Sequence, residues 1–321
     1  MNRSRTTWAL ATYALIVFAF RVGITRTVVA ASLGARLPYA LASFVLLLAP
    51  LWFFGFGAGD WLRERVKSRA ARILLPSALG LPALLFNLFE PVHHWLPVIW
   101  MFMLPVILAI LLETSSHAPK ITWQDAVVLA SLVAIYMTHL LQPAWQEDGL
   151  AALPKLYVAD LVLYLYGVVR SLEGMGYSFI PTRRAVWIGL REWLFYAPIG
   201  IGLGLALHFI HFHRGVPTAI AALAAIFGTF LLVAIPEEMF FRGILQNLLE
   251  TRFGRYGGLL IAATLFGLSH FNKRAVFNWR YVILATLAGI FYGRAWRANR
   301  QILASVITHT AVDVVWSLWF R

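Results

Sequence analysis

Long apolar runs separated by short polar segments dominate the pattern of residues along the chain. A helix needs about 20 apolar residues to cross a bilayer, so the shorter runs must extend into the segments that flank them. The pattern therefore predicts an all-α fold, a polytopic transmembrane helical bundle of about 9–11 helices. The eleven runs that we interpret as spanning lie at 7–20, 38–57, 73–89, 95–112, 123–141, 155–170, 192–211, 218–235, 258–270, 281–296 and 302–319.

The composition fits a lipid environment. Hydrophobic residues make up 60% of the 321 positions and charged residues 13%, whereas a soluble domain carries about 25% charged residues. Membrane lipid is therefore the expected surrounding of the chain. The chain has no cysteine, which excludes disulfides, thiol catalysis and cysteine-ligated zinc.

The formal net charge of +13 would suggest nucleic-acid binding in a soluble protein. Here the basic residues lie in short segments between apolar runs, where they orient helices in the bilayer. If the N-terminus is cytoplasmic, most of the 27 Lys and Arg residues fall on the cytoplasmic side. We therefore expect an integral protein of the plasma membrane with a cytoplasmic N-terminus, and no nucleic-acid partner.

Ionisable residues within the apolar runs are unevenly distributed. A charged group in the hydrocarbon core costs roughly 2.5–3.5 kcal/mol, so each needs a partner or a function. Few occur before the Gly-, Pro- and Arg-containing segment 171–191, and they cluster after it. Asp160 and His139 have no motif partner, and we interpret them as interfacial or helix-contact residues.

The first cluster is the segment AIPEEMFFRGIL, with Glu237, Glu238 and Arg242. Pro236 is expected to kink the helix or open its first turn. Glu238 and Arg242 stand four residues apart with the acid first, the favourable order for a helical ion pair. Such a pair could serve only to hold helices together, but it would leave Glu237 unpaired. A carboxylate without a cation partner is available for acid–base chemistry.

Two further motifs follow in the apolar runs near the C-terminus. FGLSH places Phe266 and His270 on one helical face, and HTAVD does the same for His309 and Asp313. Taken alone, His270 could be a hydrogen-bonded interfacial residue, and His309 with Asp313 could be a local helix pair in a water-filled crevice. Ionisable groups on three helices cannot all face lipid, so we expect them to converge on one site.

The ordered pattern EExxxR, FxxxH and HxxxD resembles that of the CAAX protease and bacteriocin-processing family, the Abi-type intramembrane glutamic proteases. The flanking PEEMFFRGIL and GIFYGRAW segments are also similar to that family. The resemblance implies a protease-like domain at 191–321, preceded at 1–190 by hydrophobic helices to which no role is assigned. It implies a helical membrane endopeptidase related to the type II CAAX prenyl endopeptidases, with no cofactor and no metal.

The resemblance also implies roles for the first two motifs. Glu237 and His270 would position a water molecule and remove its proton, while Glu238 and Arg242 would support them. The substrate would be a peptide or protein, lipidated or embedded in the membrane.

His309 and the residue at position 313 would, by the same resemblance, stabilise the oxyanion. Position 313 is often Asn in the family and is Asp here. An ionised Asp cannot donate a hydrogen bond. We therefore expect Asp313 to accept a hydrogen bond from one nitrogen of His309 and to direct its other N–H toward the oxyanion.

Two other functions use the same residues. A zinc protease could take His270, His309 and a glutamate as ligands, although the chain has no HExxH motif. A proton-coupled transporter or an immunity-type membrane protein could use the charges as a relay, but the sequence shows no inverted repeat.

Overall fold

The computed structural model describes residues 3–25, 28–88, 95–145, 149–213, 215–271 and 277–320. These residues form helices joined by short loops, and the only β-type pairing among them is one isolated bridge between Phe212 and Phe320. The predicted all-α, polytopic membrane bundle is therefore confirmed. The chain divides into two compact units, one of residues 1–118 and 122–173, the other of 119–121 and 174–321.

The N-terminal unit is held internally by a buried ion pair. The Arg170 Nε atom lies 3.1 Å from the Asp125 Oδ1 atom, and both side chains are almost completely buried. Asp160 is also buried, in a helix that packs against α3, whereas His139 is exposed. The α-helices of this unit are α1 (Arg3–Ile24), α2 (Val28–Leu33), α3 (Leu37–Phe54), α4 (Ala58–Arg65), α5 (Arg69–Leu74), α6 (Leu81–Asn87), α7 (Trp95–Glu113), α8 (Trp123–Met137) and α9 (Ala152–Tyr164).

The C-terminal unit contains all three sequence motifs, and the predicted protease-like domain 191–321 lies inside it. Its helices α10, α13, α14 and α15 pack against one another in the pairs α13–α14, α10–α15, α10–α14 and α14–α15. The α-helices of this unit are α10 (Arg183–Ala206), α11 (Ala219–Thr229), α12 (Ile235–Glu238), α13 (Asn247–Leu268), α14 (Trp279–Asn299) and α15 (Ile302–Trp319).

Seven helical stretches among the described residues are long and apolar enough to cross a membrane. This is fewer than the eleven predicted runs. The runs 218–235 and 258–270 both lie in the 50-residue stretch Ala219–Leu268, which is kinked at Gly254 (φ 69°, ψ 176°), and α8 has only 15 residues. Helices α10 and α14 are long enough, but residues such as Arg191 and Arg294 interrupt their apolar sequence. The seven stretches are Ser4–Ile24, Val29–Phe54, Arg69–Asn87, Trp95–Glu113, Ala152–Val169, Ala219–Leu268 and Ile302–Trp319.

The helix that carries the first motif is widened on both sides of Pro236. Proline has no N–H group to donate to the preceding turn, so it interrupts the regular α-helical hydrogen bonds. The short α12 lies between two π-helical segments, Phe230–Ala234 and Met239–Gln246. Wide π turns change the direction of the side chains that follow, and they are frequent at functional sites.

Two glycines allow the helices around the motifs to approach closely. Gly189 of α10 lies against α15, where the Thr308 hydroxyl donates to the Gly189 carbonyl at 2.9 Å. Gly267 of α13 lies against α14, and a Cβ atom at this position would be 2.6 Å from the Val282 carbonyl oxygen. Because the obstacle is backbone, a side chain at Gly267 would force the two helices apart.

We expect Gly267→Ala to lower the stability of the protein by about 1–3 kcal/mol, the typical cost of overpacking. Thermal unfolding in detergent measures the change. Gly202→Ala in α10 is the matched control, because a Cβ atom there meets nothing within 4 Å and alanine is the better helix former. Equal melting temperatures for the two variants would contradict the close approach of α13 and α14.

Candidate active site

A buried carboxylate joins the first and third motifs. Glu238 of α12 is fully buried, and its Oε1 atom lies 2.8 Å from the Nδ1 atom of His309 in α15. Its Oε2 atom lies 3.2 Å from the Nε atom of Arg242, one helical turn farther along. The ion pair that the four-residue spacing suggested is therefore present, and it also orients His309.

Arg242 is enclosed by backbone and aromatic rings. Its Nη2 atom donates to the Gly289 carbonyl of α14 at 3.1 Å. Its guanidinium carbon lies 4.5 Å from the ring centre of Phe266 and 5.2 Å from that of Tyr292. A cation in this setting is stabilised by the ring faces as well as by Glu238. Arg242 therefore connects the π-helical segment to α13 and α14.

Two more carboxylates lie on the other side of the His309 ring. The Nε2 atom is 3.4 Å from the Asp313 Oδ2 atom and 3.9 Å from the Glu237 Oε2 atom. Both side chains are partly exposed, at 30% for Asp313 and 25% for Glu237, whereas Glu238 is fully buried. Each ring nitrogen of His309 therefore faces a carboxylate. The orientation of His309 that we expected from Asp313 alone is shared with Glu238, which takes Nδ1.

His270 of the second motif is held by its own helical turn. Its Nδ1 atom lies 2.8 Å from the Phe266 carbonyl oxygen, so Nδ1 carries the proton and Nε2 has the lone pair. Its ring also packs edge-on against Phe266 and Tyr281, with both ring-centre distances at 4.8 Å. The Asn278 side chain caps the first turn of α14, and this cap fixes the position of Tyr281.

Phe266 lies between the two histidines. Its ring centre is 4.8 Å from that of His270 and 5.8 Å from that of His309. The phenylalanine of the FxxxH pattern is thus a spacer between the imidazoles and a surface for Arg242.

A cavity of about 90 Å³ opens beside these groups. Three of the predicted site residues line it: His270, His309 and Asp313. Most of its remaining wall is apolar or aromatic, and includes Trp193 and Trp316. Glu238 and Arg242 are buried next to the cavity wall, in contact with His309 and Phe266. The structure thus brings the predicted residues of all three motifs into one region of the C-terminal unit.

Sequence reasoning missed one residue of this region, Tyr292 of α14. Its ring stacks on the His309 ring at 4.6 Å with only 16° between the planes, and it lines the cavity. In the sequence, the segment GIFYGRAW indicated only a likeness to the family. The Tyr292 hydroxyl within an apolar run was the available signal, but the sequence does not reveal which helix face meets His309.

We expect Arg242→Ala to lower stability by about 3–5 kcal/mol, because the change strands the buried Glu238 carboxylate. Thermal unfolding in detergent measures this loss. Arg63→Ala is the control, since Arg63 pairs with Asp60 at the surface and such pairs contribute about 0–1 kcal/mol. Identical melting of Arg242→Ala and wild type would mean that the Glu238–Arg242 pair does not stabilise the fold.

One of three comparisons with known proteins gave a match. A comparison with curated proteins and one with solved structures gave no match. A family model described as Type II CAAX prenyl endopeptidase Rce1-like matches residues 218–315. The matched segment contains all six predicted site residues. The resemblance to the CAAX protease and bacteriocin-processing family is therefore confirmed for residues 218–315, which are similar to type II CAAX prenyl endopeptidases of the Rce1-like kind.

Proposed function

We propose that the chain is an intramembrane endopeptidase that hydrolyses a peptide bond with a water molecule activated by glutamate and histidine. The observation that carries this proposal is the cluster of three carboxylates around one buried imidazole, beside an aromatic cavity in a membrane-spanning unit. The family match supports a membrane endopeptidase of CAAX-protease type. The choice of glutamate as the catalytic group is our inference from the resemblance of the EExxxR motif together with the geometry.

Glu237 is the best candidate for the general base. Both oxygens of Glu238 are occupied, one by His309 and the other by Arg242. The Oε2 atoms of Glu237 and Glu238 both accept no hydrogen bond within the described part of the chain, but the Glu237 side chain is partly exposed whereas that of Glu238 is fully buried. Glu237 can therefore take a proton from a water molecule, while Glu238 is committed to holding the site together.

The reaction has two proton transfers. Glu237 takes one proton from the water as its oxygen forms a bond to the carbonyl carbon, and the carbonyl π electrons move to the oxygen. The C–N bond then breaks, and the leaving amine receives that proton from Glu237. His270 lines the neighbouring cavity, and in this scheme its side chain helps to position the water.

In this scheme, Arg242 and Glu238 hold His309 in position and do not react themselves. Glu238 holds the Nδ1 atom of His309, and Arg242 holds Glu238. The charges of Glu238 and Arg242 interact strongly, because both side chains are buried and little water is present to screen them. The support is preorganised and needs no rearrangement during the reaction.

The substrate is a peptide or protein that reaches the site through the membrane. The apolar and aromatic wall of the cavity suits a hydrophobic segment, or a lipid attached to it. We further propose that the catalytic domain spans 191–321 and that the protein lies in the plasma membrane with its N-terminus in the cytoplasm, as the distribution of basic residues predicts.

We expect Glu237→Gln to abolish cleavage while the protein still folds, because an amide cannot accept the water proton. The measurement compares the membrane proteomes of the wild-type and Glu237→Gln strains, and identifies peptide bonds that are cut only in the wild type. Glu64→Gln, a change at an exposed glutamate in the N-terminal unit, is the control and should retain every cut. Unchanged cleavage in the Glu237→Gln strain would exclude the glutamate mechanism.

The zinc-protease alternative predicts that a chelator abolishes cleavage, whereas the glutamate mechanism predicts that cleavage survives. Within the ranges that the structure describes, no three His, Asp or Glu side chains are arranged to hold a metal ion. We expect cleavage by the purified protein to survive dialysis against a strong zinc chelator. Loss of activity that returns when zinc is added would favour the zinc protease instead.

A further inference from the structure

The oxyanion formed in the proposed reaction needs hydrogen-bond donors, and the two expected ones are poorly placed to supply them. His309 directs Nδ1 at Glu238 and Nε2 at Asp313 and Glu237. Its N–H groups therefore already face carboxylates. Asp313 stands where an Asn could donate through its amide, and an ionised carboxylate has no proton to donate.

Tyr292 is a further hydroxyl-bearing residue of this cavity. Its side chain is 1% exposed and lines the same cavity as His309 and Asp313. No residue in the described part of the chain forms a hydrogen bond with this hydroxyl.

A second tyrosine of the cavity differs from Tyr292, because its hydroxyl has a hydrogen-bond partner. Tyr196 of α10 is also buried, but its hydroxyl donates to the Leu284 carbonyl at 3.1 Å. Buried hydroxyls usually have a partner. A buried phenol without one in this region is therefore a candidate to bind the substrate.

The ring of Tyr292 is held firmly. It stacks on His309 at 4.6 Å, meets the Phe266 ring edge-on at 5.8 Å and lies 5.2 Å below the Arg242 guanidinium carbon. A donor fixed in this way loses little entropy when charge develops on the substrate, which is the condition for electrostatic stabilisation of a transition state.

We propose that Tyr292 is a further catalytic residue, whose phenolic O–H donates a hydrogen bond to the scissile carbonyl oxygen as that oxygen becomes negative. The inference rests on the proposed hydrolysis. The phenol keeps its proton throughout: the water proton still goes to Glu237 and then to the leaving amine. Tyr292 thereby supplies the donor that Asp313, in place of Asn, cannot provide.

A double-mutant cycle of Tyr292→Phe and Asp313→Asn tests the proposal. The probe is a synthetic quenched peptide that carries the strongest cut lost in the Glu237→Gln strain. We expect Tyr292→Phe to lower kcat about 10²-fold with KM nearly unchanged, the size typical of losing one oxyanion donor. Asp313→Asn alone should stay within about tenfold of wild type. In the Tyr292→Phe background, it should restore kcat at least about tenfold, because the Asn amide can donate.

Stability separates this role from a structural one. Phe keeps the stacking on His309, and the Tyr292 hydroxyl has no hydrogen bond to lose within the described residues, so Tyr292→Phe should melt like the wild type. Tyr157→Phe in the N-terminal unit is the matched control. The buried Tyr157 hydroxyl donates to the Met101 carbonyl at 2.6 Å, so that variant should lose stability and keep its kcat.

Two results would overturn the proposal: a wild-type kcat in Tyr292→Phe, or a double variant that is no more active than Tyr292→Phe. Both can occur while wild type cleaves and Glu237→Gln does not, so they count against Tyr292 alone. Cleavage that persists in Glu237→Gln would instead count against the proposed function.

Discussion

The buried carboxylate of Glu238 is the interaction on which the site depends. It lies between the Arg242 guanidinium and the His309 ring, and it has no exposed surface. An isolated charge in this setting would be prohibitively costly, and only partners on both sides make it tolerable. Because those partners come from the π-helical segment and from α15, satisfying one charge also fixes the relative position of two helical segments.

The three carboxylates share one imidazole but differ in their surroundings. Glu238 is fully enclosed and engaged through both oxygens, whereas Glu237 and Asp313 keep about a quarter to a third of their side chains exposed. Groups of one chemical type in different environments can take different roles. Because Glu238 is buried, its role is to hold His309 and Arg242 in place. Because Glu237 is partly exposed, it can exchange a proton.

Aromatic rings form the framework around these charges. Phe266 separates His270 from His309, and Tyr292 covers the face of His309. The same two rings contact Arg242, so the cation and the imidazoles are held by a common surface. Rings are suited to this position because they exclude lipid and water while still attracting a cation through their faces.

The sequence alone determined the all-α membrane class, the three motifs and the Glu238–Arg242 pair. These features depend on composition and on contacts within one helical turn, and both can be read along the chain. It indicated eleven apolar runs, whereas the described residues form seven long apolar helical stretches, one of which, Ala219–Leu268, contains two of the predicted runs. Only the tertiary structure decided that Glu238 takes Nδ1 of His309 and that Tyr292 stacks on the same ring. Those contacts join residues 71 and 17 positions apart in the chain, and their geometry depends on how close glycines such as Gly189 and Gly267 allow the helices to come.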